Sequence, residues 1–116
     1  MKMTVEQRED SITRIALDGR LDRQGTQEID QKFDHTTSAG AMDVVIDLSR
    51  VSFITSTGIH SLVAAGKTQA ARGGRVVLVR PEVMVARVLE ISEIDKIVPV
   101  YDNLEAACRA LLGARC

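Results

Sequence analysis

A chain of 116 residues has room for one hydrophobic core and not two. Its 45% apolar and 27% charged residues suit a soluble globular fold, and aromatics at only 3% offer none of the stacking platforms that single-stranded nucleic-acid binders use. The net charge is −1 with the signs interspersed, the apolar runs are too short for a bilayer, and MKMTVEQRED has no signal-peptide core; a cytoplasmic protein with no nucleic-acid partner and no membrane insertion is expected.

Val5–Glu9 reads as a short edge strand. In Ser11–Asp18, Thr13, Ile15 and Leu17 alternate with Arg14, Ala16 and Asp18, the period of a half-buried strand. Glu9-Asp10-Ser11 is turn material, so these two strands predict a hairpin. Gly19-Arg20-Leu21-Asp22 closes the second strand. A surface helix follows over about Gly25–Thr37 with Ile29 and Phe33 inward, and Ser38-Ala39-Gly40 ends it. Val44–Leu48 is an unbroken run of strand formers, the pattern of a strand covered on both faces.

The next helix runs from about Thr57 to Arg72, with Ile59, Leu62, Val63, Gly66 and Ala70 on one face and Gly73-Gly74 as a left-handed C-terminal cap. Arg75–Arg80 is another apolar strand between charges. Pro81 suits the first turn of a third helix, with Glu82 favourable to its dipole and Val85, Val88 and Leu89 inward. Ile94 anchors the loop beyond, and Pro99 marks Ile97–Tyr101 as an edge or irregular strand. Asp102 and Glu105 form a capping box for a closing helix whose inner stripe is Leu104, Ala107, Cys108 and Leu111. Cys108 is a small core residue and Cys116 a terminal thiol; the pair forms no disulfide framework.

The order β-β-α-β-α-β-α-β-α predicts an α/β fold with a mostly parallel central sheet, right-handed crossovers and helices packed on it. Residues 1–116 read as one domain with a core from about 5 to 112.

The chemistry concentrates at Thr55-Ser56-Thr57-Gly58, between the buried strand and the helix. Hydroxyls there can accept bonds from the free amides of the first turn, which is a plain capping role. The same spot, with its partial positive charge, tolerates an added phosphate, and Gly58 leaves the backbone open to a partner's active site. His60, Ser61, Ala64, Lys67 and Thr68 lie off the buried stripe and offer a partner a small-residue surface. Ser56 and His60, four residues apart, lack a G-x-S-x-G elbow and a motif-supported acid at Asp22 or Asp47. His35 and His60 have no spaced His or Cys partners, and Gly73-Gly74 ends a helix with no G-K-[ST] after it. Neither catalysis nor a metal or other cofactor is expected.

At these residues the sequence resembles the STAS-domain family, specifically its small stand-alone anti-sigma factor antagonists. The likeness runs from about Val5 to Leu112. It is carried by Gly19-x-Leu21-Asp22, the Val44–Ser49 strand ending DLS, the Phe53–Gly58 turn with Ile59, the Pro81-Glu82 helix start and LEISEIDKIVPVY at Leu89–Tyr101. The resemblance implies an unphosphorylated form that binds an anti-sigma factor, itself a serine kinase of ATP-binding fold, and draws it from its sigma factor. Phosphorylation would release it and a PP2C-type phosphatase would restore it. The family pattern Asp-Ser-[Ser/Thr]-Gly puts the acceptor on Ser56, ahead of Thr57, with Thr55 standing where those regulators commonly carry Asp. The implied partner surface is Asp22, Thr55, Ser56, Thr57, Gly58, His60 and Ser61. The alternative is a STAS scaffold subunit of a signalling or transporter-associated assembly, in which Ser56 is only a helix cap.

Overall fold

The computed structural model describes residues 1–8, 12–39 and 43–112. Among them a five-stranded sheet runs in the order β1 (Lys2–Arg8), β2 (Ile12–Leu21), β3 (Asp43–Ile54), β4 (Arg75–Val79), β5 (Val100–Tyr101). β1 is antiparallel to β2, and β2 through β5 are parallel, as the alternation of strands and helices implies. The helices are α1 (Arg23–Ala39), α2 (Ser56–Ala71), α3 (Val83–Ile91) and α4 (Leu104–Leu112), with a 3₁₀ turn at Ile94–Lys96 where the sequence predicts a loop.

The core has two layers. Ile29 and Phe33 of α1, Leu62 and Ala65 of α2, and Val85 and Leu89 of α3 pack with Ile15, Leu17, Ile46 and Leu78 on one face of the sheet. On the other face α4 closes Ala107 and Leu111 over Ile12, Val45, Val77 and Val79. Both faces of the Val44–Leu48 run are therefore buried, which is why it carries no polar alternation until Asp47.

Several boundaries differ from expectation, each for a physical reason. β1 begins at Lys2 and pairs with β2 along its whole length, Lys2 opposite Asp18 and Arg8 opposite Ile12. The turn expected at Glu9-Asp10-Ser11 lies outside the described residues, as do Gly40 of the first helix break and Cys116. β2 runs on to Leu21 and β3 to Ile54, because each satisfies the other's backbone across register shifts after Ala16 and Gly19. β4 stops opposite Asp47, so the last turns of β3 pair with β2 alone. On α2 the buried line is Gly58, Leu62, Ala65 and Gln69; Ile59 and Val63 are only half-buried and Ala70 is exposed. Pro81 stands before α3, and Glu82 is its N-cap, accepting a bond from the Met84 amide at 3.1 Å. The cap of α4 is Asn103, whose Oδ1 accepts from the Ala106 amide at 2.7 Å, while Glu105 pairs with Arg109. β5 has two residues in place of five.

Gly73-Gly74 caps α2 as expected. Gly73 takes a left-handed φ of 85°, its amide donates to the Ala70 carbonyl, and the Gly74 amide donates to that of Gln69 at 2.8 Å. The Cys108 thiol is buried.

Candidate functional site

The parallel strands deliver their C-terminal ends to one edge of the sheet, where α1, α2 and α3 begin. β2 ends at Leu21 and β3 at Ile54, and these two residues are register partners. The loop starting at Asp22 and the turn starting at Thr55 therefore emerge side by side.

Asp22 is the N-cap of α1. Its Oδ1 accepts from the Gly25 amide at 2.8 Å and its carbonyl accepts from the Thr26 amide at 2.8 Å. Arg20 Nε lies 3.3 Å from its other oxygen. The Gly25 amide, opposed by desolvation and helped by Arg20, holds the Asp22 carboxyl below the ordinary carboxylate range. Gly25 has to be glycine, since a Cβ there would collide with the Arg20 carbonyl.

Thr55 precedes α2 with extended backbone, φ −113° and ψ 175°, and makes no side-chain cap. Its hydroxyl donates instead to the Leu21 carbonyl at 3.4 Å, the same oxygen that accepts from its amide at 3.1 Å. The capping role read from the sequence is thus absent at Thr55. Ser56 and Thr57 are the first two residues of α2 and both are exposed. The first-turn amides carry the positive end of the helix dipole outward beside the Ser56 hydroxyl.

Gly58 takes a different part from the open backbone expected of it. It is buried, and a Cβ would come within 2.5 Å of the Leu21 carbonyl and 2.8 Å of Leu21 Cγ. Glycine here lets α2 press against the end of β2, which draws Ser56 toward the Asp22 loop. His60 is exposed one turn along, and Ser61 is half-buried. Six of the seven residues expected to meet a partner are at least partly accessible at this edge, and Gly58 supports them from beneath.

Three exposed apolar side chains beside the site lie outside the partner surface expected from the sequence. Phe53, 43% exposed, pairs across the strands with Arg20, whose guanidinium lies 4.5 Å from its ring centroid. Val83 and Met84 at the start of α3 are also exposed apolar side chains at this end of the sheet. An exposed Phe in a chain with so few aromatics was the available signal, but its pairing with Arg20 depends on the register. Among the described residues no group of three or more His, Cys, Asp or Glu side chains could hold a metal, and no helix is long and apolar enough to cross a membrane.

This architecture and a match to the STAS domain model over residues 3–107 define the class: the chain belongs to the STAS-domain family. Within it, the chain is 33% identical over 81 residues, 70% of its length and 72% of the relative's, to the TM1081 homolog of Thermotoga neapolitana, named as a candidate anti-sigma factor antagonist. It is 28% identical over 114 residues, 98% of its length and 97% of the relative's, to BtrV of Bordetella bronchiseptica, named in the same way. Its fold matches the crystal structure of TM1081 from Thermotoga maritima with TM-score 0.85 and 24% identity, covering 94% of this chain and 93% of that one. It also matches the Bacillus cell-fate determinant SpoIIAA in its phosphorylated form, with TM-score 0.70 and 21% identity over 94% and 99% of the two chains.

Proposed function

We propose that this protein is a cytoplasmic anti-sigma factor antagonist whose whole chain acts as one partner-switching unit. In the unmodified state it binds an anti-sigma factor through Asp22, Thr55, Ser56, Thr57, His60 and Ser61, and phosphorylation of Ser56 releases it. The partner is itself the serine kinase, and a PP2C-type phosphatase restores the binding form. The observation that carries this reading is the exposed Ser56 hydroxyl at the first position of an α2 that Thr55 leaves without a side-chain cap. The names of the relatives support it, as does the existence of a phosphorylated form of a protein with this fold.

The switch works by charge. A phosphoserine adds about −1.5 to −2 charges at neutral pH. On this fold the first-turn amides and the dipole of α2 accept that charge. A partner surface pressed onto Ser56 would have to desolvate it, and an ion buried without excellent pairing costs several kcal/mol. Each ~1.4 kcal/mol weakens binding about tenfold, so release needs no large conformational change. Thr55, where the resemblance implies that such regulators commonly carry Asp, leaves one negative charge fewer beside the acceptor.

The test is affinity capture from the native lysate with wild type, Ser56→Ala and Ser56→Asp, partners being identified by mass spectrometry and phosphorylation mapped on the recovered protein. The reading expects an ATP-binding-fold serine kinase with wild type and Ser56→Ala, depleted with Ser56→Asp, and phosphate on Ser56. Partners that ignore all three forms would make the chain a constitutive interaction subunit.

A further inference from the structure

The second face of the sheet is only half covered. Beside the apolar patch under α4 lies a cavity of about 300 Å³ whose charged lining is Arg14, Arg50 and Arg80 against Asp18 and Asp47. We propose that this cavity is a second ligand site, and that it takes a small oxyanion of the phosphate-monoester class.

The side chains choose an anion. Asp47, 5% exposed, accepts from Arg14 Nη2 at 3.2 Å, from Arg80 Nη2 and from the Ser49 amide at 2.9 Å. A carboxylate so fully engaged has little left for a cation; its effect is to fix the two guanidiniums that flank it. A guanidinium carries five N–H donors in a planar fork, and the Asp47 bond uses one from Arg80, whose side chain is 44% exposed. Arg50 at the rim meets Asp18 at 3.8 Å, both being largely exposed, so it can turn to an incoming anion. The Thr4 hydroxyl adds a donor of the kind phosphate oxygens take.

The backbone at Arg80 points the same way. The residue leaves β4 with φ 53°, a left-handed conformation that glycine adopts freely and a long side chain does not. The chain keeps an arginine there, with its guanidinium turned onto Asp47. The cavity is at the small end of ligand pockets, which favours a monoester over a dinucleotide. It is also separate from Ser56, since α2 packs on the opposite face of the sheet.

The experiment is an amide-resolved NMR titration with inorganic phosphate and with ribose 5-phosphate at constant ionic strength, sodium chloride serving as the control. Wild type and Ser56→Ala are expected to give the same saturable shifts at Ser49, Arg50 and Arg80. Arg80→Gly, which relieves the backbone, should bind about tenfold more weakly or worse. Arg50→Ala, altering only an exposed rim residue, should also weaken binding and guards against misfolding of the first variant. Linear drift matching chloride, shifts confined to the start of α2, or equal binding by Arg80→Gly and Arg50→Ala would overturn the assignment.

Discussion

The Thr55 hydroxyl and the Thr55 amide both donate to the Leu21 carbonyl, at 3.4 and 3.1 Å. That one oxygen ties the end of β3 to the end of β2 and turns away from α2 the side chain best placed to cap it. Removing the hydroxyl leaves the shorter amide bond in place, so Thr55→Val should cost only about 0.5–1 kcal/mol. Thr55→Asp brings a carboxylate to uncapped first-turn amides and should stabilise by about 0.5–1 kcal/mol. Urea midpoints of the two variants against wild type give the order; a stabilising Val or a strongly destabilising Asp would contradict the geometry.

The two buried glycines of the site predict a ranking. At Gly58 a methyl group would meet the Leu21 carbonyl at 2.5 Å, and at Gly25 it would collide outright with the Arg20 carbonyl. Backbone atoms yield less readily than side-chain tips, so Gly58→Ala should cost about 2 kcal/mol and Gly25→Ala about 3 kcal/mol. Chemical denaturation should find both destabilised and Gly25→Ala the worse; a neutral Gly58→Ala would mean that α2 can move off β2.

Asp47 predicts the acid limb of stability. Burial alone would raise its carboxyl, but the Arg80 guanidinium, the Ser49 amide and hydroxyl, and Arg14 outweigh it and hold the value at about 2, against 3.8 ordinarily. Because the folded value is the lower one, the contribution is complete above about pH 4 and is lost as pH falls toward 2. At about 1.4 kcal/mol per unit it amounts to roughly 2.5 kcal/mol. Asp47→Asn should therefore be destabilised at pH 7, and its gap from wild type should narrow between pH 4 and pH 2. A gap that stays constant across that window would remove Asp47 from the account.

How much of this could be read in advance follows from how local each signal is. Val44 to Leu48 announced a doubly covered strand because both faces demanded apolar side chains, and Gly73-Gly74 announced a cap because the left-handed conformation favours glycine. The helix read from about Thr57 starts one residue earlier, at Ser56, and the choice of Ser56 rests on the resemblance to the STAS family. The extension of β3 from Ser49 to Ile54 was not, since its polar and apolar residues follow a register shifted by bulges against β2. The inner line of α2 was read with Ile59 and Val63 in it, because hydrophobicity outweighed the small Gly58 and Ala65 that close packing requires. Asn103 lost the cap of α4 to Asp102 on paper, two neighbouring residues with equal propensity, one of which had the right geometry. The Arg20–Phe53 stack and the Arg14–Asp47–Arg80 cluster join residues distant in sequence, and only strand register brings them together.

Phe53 should separate binding from folding. Its ring is 43% exposed and its described polar neighbour is the Arg20 guanidinium over its face. Losing that contact costs about 0.5–1 kcal/mol of stability. At a protein interface an exposed aromatic with an arginine beside it is the pattern of an anchor, where truncation typically costs 2 kcal/mol or more, roughly thirtyfold in affinity. If the partner docks on this edge, Phe53→Ala should keep a near-normal urea midpoint and lose most of its binding to the captured partner. Unchanged affinity would move the interface along α2, toward His60 and Ser61.

Ser56 is the first residue of α2, and its first-turn amides face outward with no side-chain cap from Thr55. A negative charge at that position interacts favourably with the dipole, so Ser56→Asp should stabilise the isolated protein by about 0.3–1 kcal/mol at low ionic strength. Salt should erode the gain, because the site is exposed and the Debye length falls from roughly 30 Å at 0.01 M to roughly 10 Å at 0.1 M. The same substitution is expected to weaken partner binding, so stability and affinity should move in opposite directions. Urea midpoints at two salt concentrations, alongside titration with the captured partner, measure both. A Ser56→Asp variant that is both destabilised and unable to bind would trace the lost binding to a damaged fold, and a charge-operated switch at Ser56 would be ruled out.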